Sequence, residues 1–130
     1  MNKQIKVALI GNPNTGKTSI FNSLTGLKQK TANYPGVTVE KKEGICKLDR
    51  GVKAHIYDLP GTYSLNASSI DENIVVELLL NKNHKDYPDL AIIVSDVENL
   101  KRNLVLFTQV KDLKIPTILA INMSDRMKYK

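Results

Sequence analysis

The chain has 130 residues, 42% of them hydrophobic, with one cysteine and a formal net charge of +6, a size that predicts a single domain with its own hydrophobic core. The single cysteine excludes an internal disulfide, the short apolar runs exclude a membrane span of roughly 18 residues, and the lack of a signal peptide predicts a soluble domain in a reducing, cytosol-like compartment. Because the lysines are scattered with few aromatic residues between them, we expect a solvated basic surface and no nucleic-acid partner.

Five stretches of the chain are predicted to be β-strands. Three are short, nearly continuous apolar runs, which are typical of parallel strands covered on both faces. The second stretch is long and polar, contains Gly44 and is followed by turn residues 49–51, so we expect it to form an edge strand and a hairpin with the third. The predicted strands comprise residues 5–10, 37–48, 53–58, 90–95 and 117–121.

Three helices are predicted in the gaps, at residues 18–27, 70–83 and 99–113. The first has Ile20, Phe21 and Leu24 on one face. The second carries an apolar stripe formed by Ile70, Ile74, Val75, Leu78 and Leu79. The third is expected to bury Leu100, Leu104, Phe107 and Val110. Alternating strands and helices predict a three-layer α/β domain with a mostly parallel sheet and one antiparallel edge strand.

The first functional motif directly follows the first strand. Residues 11–18 read Gly-Asn-Pro-Asn-Thr-Gly-Lys-Thr, which is the phosphate-binding loop G-x-x-x-x-G-K-[ST]. In such a loop, backbone N–H groups and the N-terminus of the next helix bind phosphate, Lys17 reaches the β- and γ-phosphates, and Thr18 ligates Mg²⁺. The predicted nucleotide-binding residues here are Gly11, Asn12, Pro13, Asn14, Thr15, Gly16, Lys17, Thr18 and Ser19.

A second motif, Asp58-Leu59-Pro60-Gly61, ends the third predicted strand. Asp58 at the carboxyl end of a strand can hold the water shell of Mg²⁺, and Gly61 allows its backbone N–H to approach the γ-phosphate closely. Taken alone, Asp-x-x-Gly is equally typical of a simple turn. Its position after a phosphate-binding loop favours the nucleotide-binding interpretation.

A third motif, Asn122-Met123-Ser124-Asp125, follows the last strand, where an open α/β sheet has its ligand crevice. It resembles the guanine-recognition motif Asn-Lys-x-Asp, with Met123 as an adaptable apolar cover for the base in place of lysine. Asp125 could accept hydrogen bonds from the ring N–H and the exocyclic amine of guanine, a donor pair that adenine lacks. Asn122 would hold the base edge and brace the phosphate-binding loop. Four such residues in isolation would be an ordinary turn.

The three motifs in this order resemble those of the Ras-like P-loop GTPases, and the residues between them resemble the nucleotide-binding domain of FeoB, the bacterial ferrous-iron transporter. The most specific segments are Asn-Tyr-Pro-Gly-Val-Thr-Val-Glu-Lys-Lys-Glu-Gly at 33–44 and Asp-Leu-Pro-Gly-Thr-Tyr-Ser-Leu at 58–65. Asn-Met-x-Asp is also the usual guanine motif of this family. The resemblance covers nearly the whole chain, so residues 1–130 would form a FeoB-type G domain that lacks its C-terminal strand and helix.

The resemblance implies further residue roles. Residues 31–39 would form the first switch loop, in which Thr38 joins the Mg²⁺ ligands and helps to position the attacking water. After Gly61, Thr62 stands where many Ras-like enzymes have a water-orienting glutamine, so intrinsic hydrolysis would be slow. In this family potassium accelerates hydrolysis, and it is held partly by the asparagine at the position of Asn14. The implied catalytic residues are Asn14, Lys17, Thr38 and Gly61, with Thr18, Thr38 and Asp58 for Mg²⁺ and Asn14 for K⁺.

The function implied by the resemblance is a Mg²⁺-dependent, potassium-stimulated GTPase that couples GTP and GDP to ferrous-iron uptake at the cytoplasmic face of the bacterial inner membrane. Its partners would be the helical domain and the membrane-spanning permease of a longer protein. Whether the domain forms a homo-oligomer is left open. The assignment to iron transport rests on the resemblance alone, because no residues of the sequence form a recognisable ferrous site. Two alternatives also stay open: a ribosome-assembly GTPase whose basic surface binds RNA, and a catalytically inert module whose loops are ordered by nucleotide.

Overall fold

The computed structural model describes residues 3–11, 16–26, 29–34, 39–61 and 70–122. The strands in these ranges are β1 (Lys3–Gly11), β2 (Gln29–Asn33), β3 (Glu40–Lys47), β4 (Val52–Asp58), β5 (Leu90–Asp96) and β6 (Thr117–Asn122). The α-helices are α1 (Lys17–Thr25), α2 (Ile70–Leu80) and α3 (Leu100–Asp112), with short 3-10 turns at Asp49–Gly51 and Val97–Asn99. None of the helices described has the length and apolar content needed to span a membrane.

The strands form one mixed sheet in the order β2-β3-β4-β1-β5-β6. β1 pairs in parallel with β4 and β5, and β5 pairs in parallel with β6. β3 runs antiparallel to both of its neighbours, β2 and β4, and the 3-10 turn Asp49–Gly51 joins it to β4 in the predicted hairpin. The mostly parallel α/β sheet with an antiparallel side is therefore confirmed.

The outermost strand on the antiparallel side is β2, which the sequence pattern does not predict. β2 pairs with one edge of β3, from Gln29 opposite Gly44 to Asn33 opposite Glu40, and β4 pairs with the other edge, so β3 lies inside the sheet. The assignment of residues 37–48 to the edge is therefore wrong. All of β2 is exposed, so it lacks the period-two hydrophobic alternation by which a half-buried strand is recognised. Residues 31–33, which the resemblance assigns to the first switch loop, belong to this strand.

One face of the sheet is covered by α1. Phe21 is fully buried there among aliphatic side chains of β1, β4 and β5, and Ile20 packs against the same cluster. Thr25 is also buried, and its hydroxyl donates a 2.8 Å hydrogen bond to the carbonyl oxygen of Phe21. Leu24 is 37% exposed, so the predicted apolar face of α1 is confirmed for Ile20 and Phe21, while Thr25 takes the place expected of Leu24.

The opposite face carries α2, α3 and the larger hydrophobic cluster. α2 buries Val75, Leu78 and Leu79, as predicted, whereas Ile70 at its first position is exposed. Together with α1 on the other face, these helices complete the predicted three layers.

α3 meets the sheet through a face that was predicted only in part: Val110 is buried as expected, whereas Leu104 is not. Leu106 and Val110 are fully buried, and so is Asn103, whereas Leu104 is 42% exposed. Phe107 is partly buried at the boundary of the cluster. The predicted stripe selected apolar residues at helical spacing, but the buried side of α3 includes an asparagine. A hydrophobic pattern cannot identify a polar residue as part of the core.

Two leucines of α3 provide a matched test of this orientation. Leu106→Ala should lower the free energy of unfolding by about 2–5 kcal/mol, because it leaves a cavity in a close-packed core. Leu104→Ala should change it by less than about 1 kcal/mol, because this side chain is already exposed. Urea denaturation followed by circular dichroism measures both values. A larger loss for Leu104→Ala would mean that α3 packs through the face predicted from the sequence.

Candidate nucleotide-binding site

The parallel strands bring the three predicted motifs to one edge of the sheet. β1 ends at Gly11, β4 at Asp58 and β6 at Asn122, and these carboxyl ends lie at the same edge of the sheet because the strands run in the same direction. The register pairs Gly11 with Val94 and Asp58 with Leu9, next to the end of β1. Ligands of open α/β sheets bind at this edge. Gly11, Asp58 and Asn122, the first residues of the three motifs, therefore lie at the edge where the sequence predicts a ligand.

Lys17, the first residue of α1, bridges two of these motifs. Its ammonium donates hydrogen bonds to Asp58 Oδ1 and, over 2.6 Å, to the carbonyl oxygen of Leu59. Leu59 is held in turn, because its N–H donates to the carbonyl oxygen of Leu9 over 3.2 Å. The side chains of Lys17 and Asp58 are only 11% and 6% exposed. A shielded positive charge and a shielded carboxylate thus lie in contact at the start of α1.

Gly16 and Asn122 bring the first and third motifs into contact. Gly16 has a φ of 85°, in the left-handed region that favours glycine. A Cβ built on Gly16 would overlap the side-chain amide of Asn122, with Cγ of Asn122 only 3.1 Å away. Asn122 therefore lies against the phosphate-binding loop, which is the proximity that its predicted bracing role requires.

The start of α1 suits an anion. Gly16 accepts the helical hydrogen bond of Ile20 over 3.1 Å, but it has no side chain with which to cap the helix. Backbone N–H groups in the first turn, which includes Thr18 and Ser19, thus remain for an external acceptor such as phosphate. The hydroxyl of Thr18 and the carboxylate of Asp58 are oxygen donors of the kind that Mg²⁺ prefers, so the residues present fit this ion.

Several predicted site residues lie outside the described part of the chain, so their roles stay predictions. They are Asn12, Pro13, Asn14, Thr15, Thr38, Met123 and Asp125. Gly61 is half-buried at the end of the described range 39–61.

A second group of polar side chains, which the sequence does not predict, is formed by residues of β3, β4 and the loop after α2. We call Lys41, Tyr57 and Asp86 the Asp86 cluster. Lys41 Nζ lies 2.7 Å from Asp86 Oδ2 and 5.8 Å from the centre of the Tyr57 ring, and Tyr57 hydrogen-bonds to Asp86. The backbone N–H of Asp86 donates to His84 Nδ1 over 3.0 Å. The cluster joins β3 and β4 to the loop between α2 and β5.

Burial raises the pKa of two tyrosines that interact with Asp86, whereas at Asp86 itself hydrogen bonds outweigh burial. Burial, reinforced by nearby carboxylates of which Asp86 is the foremost, raises the pKa of Tyr34 far above its usual range. Burial likewise raises the pKa of Tyr57, with additional effects of the charge of Asp86 and the hydrogen bond to it. Burial opposes the charge on Asp86, but hydrogen bonds from Lys41 and Tyr57 and nearby positive charge outweigh it and lower its pKa. At neutral pH the group holds a charged carboxylate beside neutral phenols.

Nothing in the sequence identifies Asp86 as special. It lies in a polar segment of the kind that usually forms a solvated loop, and its partner Lys41 is 45 residues away along the chain. Only the packing of the loop after α2 against β3 and β4 brings the three side chains together.

The contact between Gly16 and Asn122 can be tested with a matched glycine. Gly16→Ala and Gly26→Ala should each destabilise the fold by about 1–3 kcal/mol, because both glycines have positive φ. Gly26 has no atom within 4 Å of its added Cβ. Combining each variant with Asn122→Ala should therefore give a coupling energy of about 1 kcal/mol for Gly16 and none for Gly26. Denaturant unfolding measures the cycles, and equal coupling in both would contradict the contact.

Comparison with known proteins agrees with the geometry of this site. The chain matches the family model of ferrous iron transport protein B over residues 5–130. It is 44% identical over 128 residues to the Fe(2+) transporter FeoB of Leptospira biflexa, which covers 98% of this chain and 18% of that protein. It is 47% identical over 128 residues to the Fe(2+) transporter FeoB of Salmonella typhimurium, covering 95% of this chain and 16% of that protein. The chain thus spans less than a fifth of the length of these relatives.

Solved structures share the fold. The G domain of the T. maritima FeoB iron transporter superposes with a TM-score of 0.88 at 47% identity, over 98% of this chain and 77% of that one. A GDP-bound mutant of S. thermophilus NFeoB superposes with a TM-score of 0.82 at 42% identity, over 97% of this chain and 46% of that one. With its family model matched almost from end to end, the chain belongs to the ferrous iron transport protein B family, FeoB, and has the fold of that family's G domain.

Proposed function

We propose that the chain binds GTP and GDP with Mg²⁺ and hydrolyses GTP slowly, as the nucleotide-dependent domain of a ferrous-iron transporter. The observation that carries the proposal is the convergence of Lys17, Asp58 and Asn122 where the phosphate-binding loop enters α1. GDP-bound relatives of the same fold support it, among them the S. thermophilus NFeoB mutant at 42% identity. The relatives named Fe(2+) transporter support the link to iron.

Each residue of the site has a role suited to its position. Lys17 neutralises charge on the β- and γ-phosphates, because its shielded ammonium lies at the N-terminus of α1. Thr18, Thr38 and Asp58 would hold Mg²⁺ and its water shell, and Thr38 would also position the attacking water. When bound, Mg²⁺ would neutralise the negative charge that develops on the phosphates. Gly61 donates its backbone N–H to the γ-phosphate, because it has no side chain to prevent close approach.

Guanine is read by the third motif. Asn122 holds the base edge from its place beside Gly16, and Asp125 accepts the ring N–H and the exocyclic amine, with Met123 covering the base. Adenine offers no matching donor pair, so its binding would leave the carboxylate unpaired. That mismatch excludes adenine nucleotides by a large factor.

Asp125→Asn tests the base assignment. Asparagine offers one acceptor and one donor, which match the N1–H and O2 of xanthine but not the two donors of guanine. The variant should bind GDP about 100-fold more weakly and should prefer XDP to GDP. The unchanged chain should prefer GDP to both XDP and ADP.

Titration of fluorescent GDP, XDP and ADP analogues at fixed Mg²⁺ measures these affinities. If Asp125→Asn lowers the affinity for all three nucleotides by the same factor, Asp125 supports the fold and does not read the base. Binding of ADP as tight as GDP by the unchanged chain would overturn the guanine assignment itself.

We further propose that K⁺ stimulates hydrolysis and that Asn14 helps to hold it. The support is the resemblance of the phosphate-binding loop and the presence of Thr62 in place of a water-orienting glutamine. A cation held between phosphates stabilises charge in the transition state, as an arginine finger does.

Turnover in matched salts tests this role. The unchanged chain should hydrolyse GTP faster in KCl than in NaCl at equal ionic strength, and Asn14→Ala should reduce the stimulation at least about tenfold. Asn22→Ala, an identical change at an exposed position of α1, should preserve it. Equal rates in both salts for the unchanged chain would contradict the proposal, and no turnover in either salt would favour a catalytically inert, nucleotide-ordered module.

The setting of the domain is also a proposal. We place it at the cytoplasmic face of the bacterial inner membrane, where its nucleotide state acts on a helical domain and a membrane-spanning permease. The support is that relatives of much greater length are named Fe(2+) transporters. The same relatives, matched over nearly all of this chain, do not favour a ribosome-assembly GTPase.

A further inference from the structure

The β2–β3 hairpin has an exposed outer strand, and a backbone hydrogen bond closes the base of the hairpin, where the two strands meet their connecting segment. The N–H of Tyr34 donates to the carbonyl oxygen of Val39 over 3.0 Å, directly beyond the paired residues Asn33 and Glu40. Every residue of β2 is exposed, so this strand contributes no side chain to the hydrophobic core. The sequence between Tyr34 and Val39 includes Thr38, which in the proposed function binds Mg²⁺ and positions the attacking water. The orientation of the hairpin therefore depends on how β3 is held.

Lys41 holds β3 near the base of this hairpin. It pairs with Ala32 across the hairpin, and its ammonium lies 2.7 Å from Asp86 Oδ2. The two side chains are 17% and 13% exposed, so the pair is more shielded than a typical surface ion pair. Charge-assisted hydrogen bonds of this kind fix geometry more strictly than contacts in open solvent.

Asp86 is itself fixed by the surrounding structure. It accepts hydrogen bonds from both Lys41 and Tyr57, and its N–H donates to His84 Nδ1 over 3.0 Å. The loop that carries it is joined to β1 by two 2.8 Å hydrogen bonds, from the N–H of Asp89 to the carbonyl oxygen of Lys6 and from the N–H of Lys6 to Asp89 Oδ2. Asp86 thus links the hairpin to the central parallel part of the sheet.

We propose that Asp86 is a positioning residue for GTP hydrolysis, which acts through Lys41 to fix the base of the β2–β3 hairpin that carries Thr38. The inference rests on the proposed function, since it assumes that Thr38 takes part in hydrolysis. Asp86 touches neither nucleotide nor metal in this scheme. Its loss should slow the chemical step and leave GDP binding intact, because neither Asp86 nor Lys41 belongs to the phosphate-binding loop or the guanine motif.

Asp86→Asn is the sharpest test, because it removes the charge and keeps nearly the same shape. We expect kcat at saturating GTP to fall about tenfold, the lower end of the effect of losing a direct partner of a metal ligand, because Asp86 acts through Lys41. The Kd for a fluorescent GDP analogue should stay unchanged. Lys41→Met should reproduce the fall in kcat, and Lys41→Arg should restore most of it, because arginine keeps both the charge and the donors.

Lys47→Met is the matched control. Lys47 is exposed at the far end of β3, so the same chemical change there should leave kcat unchanged. Thermal unfolding of every variant separates a loss of fold from a loss of positioning. If Asp86→Asn does not fold, the kcat values of Lys41→Met, Lys41→Arg and Lys47→Met test the positioning role.

The outcomes separate the two proposals. If the unchanged chain shows no GTP turnover, the proposed function fails first and takes this inference with it. If the unchanged chain turns GTP over and Asp86→Asn or Lys41→Met retains full kcat, the inference is wrong while the proposed function stands. A parallel loss of kcat and GDP affinity, or no recovery with Lys41→Arg, would also overturn it, because either result indicates a purely structural role.

Discussion

The parallel pairing of β1 with β4 is the constraint on which the site depends. Its register sets Leu9 beside Asp58, so the loop after β1 and the carboxylate at the end of β4 emerge at the same edge. Lys17 then reaches from α1 to Asp58 and to the carbonyl oxygen of Leu59. A shielded pair of this kind adds little net stability, because desolvation offsets the attraction. What it provides is a fixed position for two opposite charges beside a helix N-terminus.

The contact of Gly16 with Asn122 extends this constraint to the third motif. β5 lies between β1 and β6, so these motifs start one strand apart. The left-handed backbone of Gly16 and its lack of a Cβ allow the Asn122 amide to close the gap. The start of α1 and the end of β6 are thereby tied together at one edge of the sheet. A nucleotide that contacts both would be held in a geometry set by the sheet.

The antiparallel side of the sheet has a different character. β1 and β5 are buried on both faces, whereas β2 is wholly exposed and is held through backbone pairing with β3. Segments that respond to nucleotide are drawn from such weakly packed parts of a fold. β3 is paired with β4, and the Asp86 cluster adds a side-chain attachment at Lys41, next to the end of that pairing. A buried parallel core beside an exposed outer strand would suit the nucleotide-dependent domain proposed above.

The sequence by itself determined the phosphate-binding loop, the positions of Asp58 and Asn122 at strand ends, and the parallel core, because short-range motifs and continuous apolar runs carry those signals. It could not reveal β2, which buries neither face, or the buried face of α3, which includes Asn103. Asp86 was equally hidden, because its partner is distant in sequence and its own neighbours are polar. Those features were decided only by tertiary packing, since contacts between distant segments, and not local pattern, determine which polar residues become buried and paired.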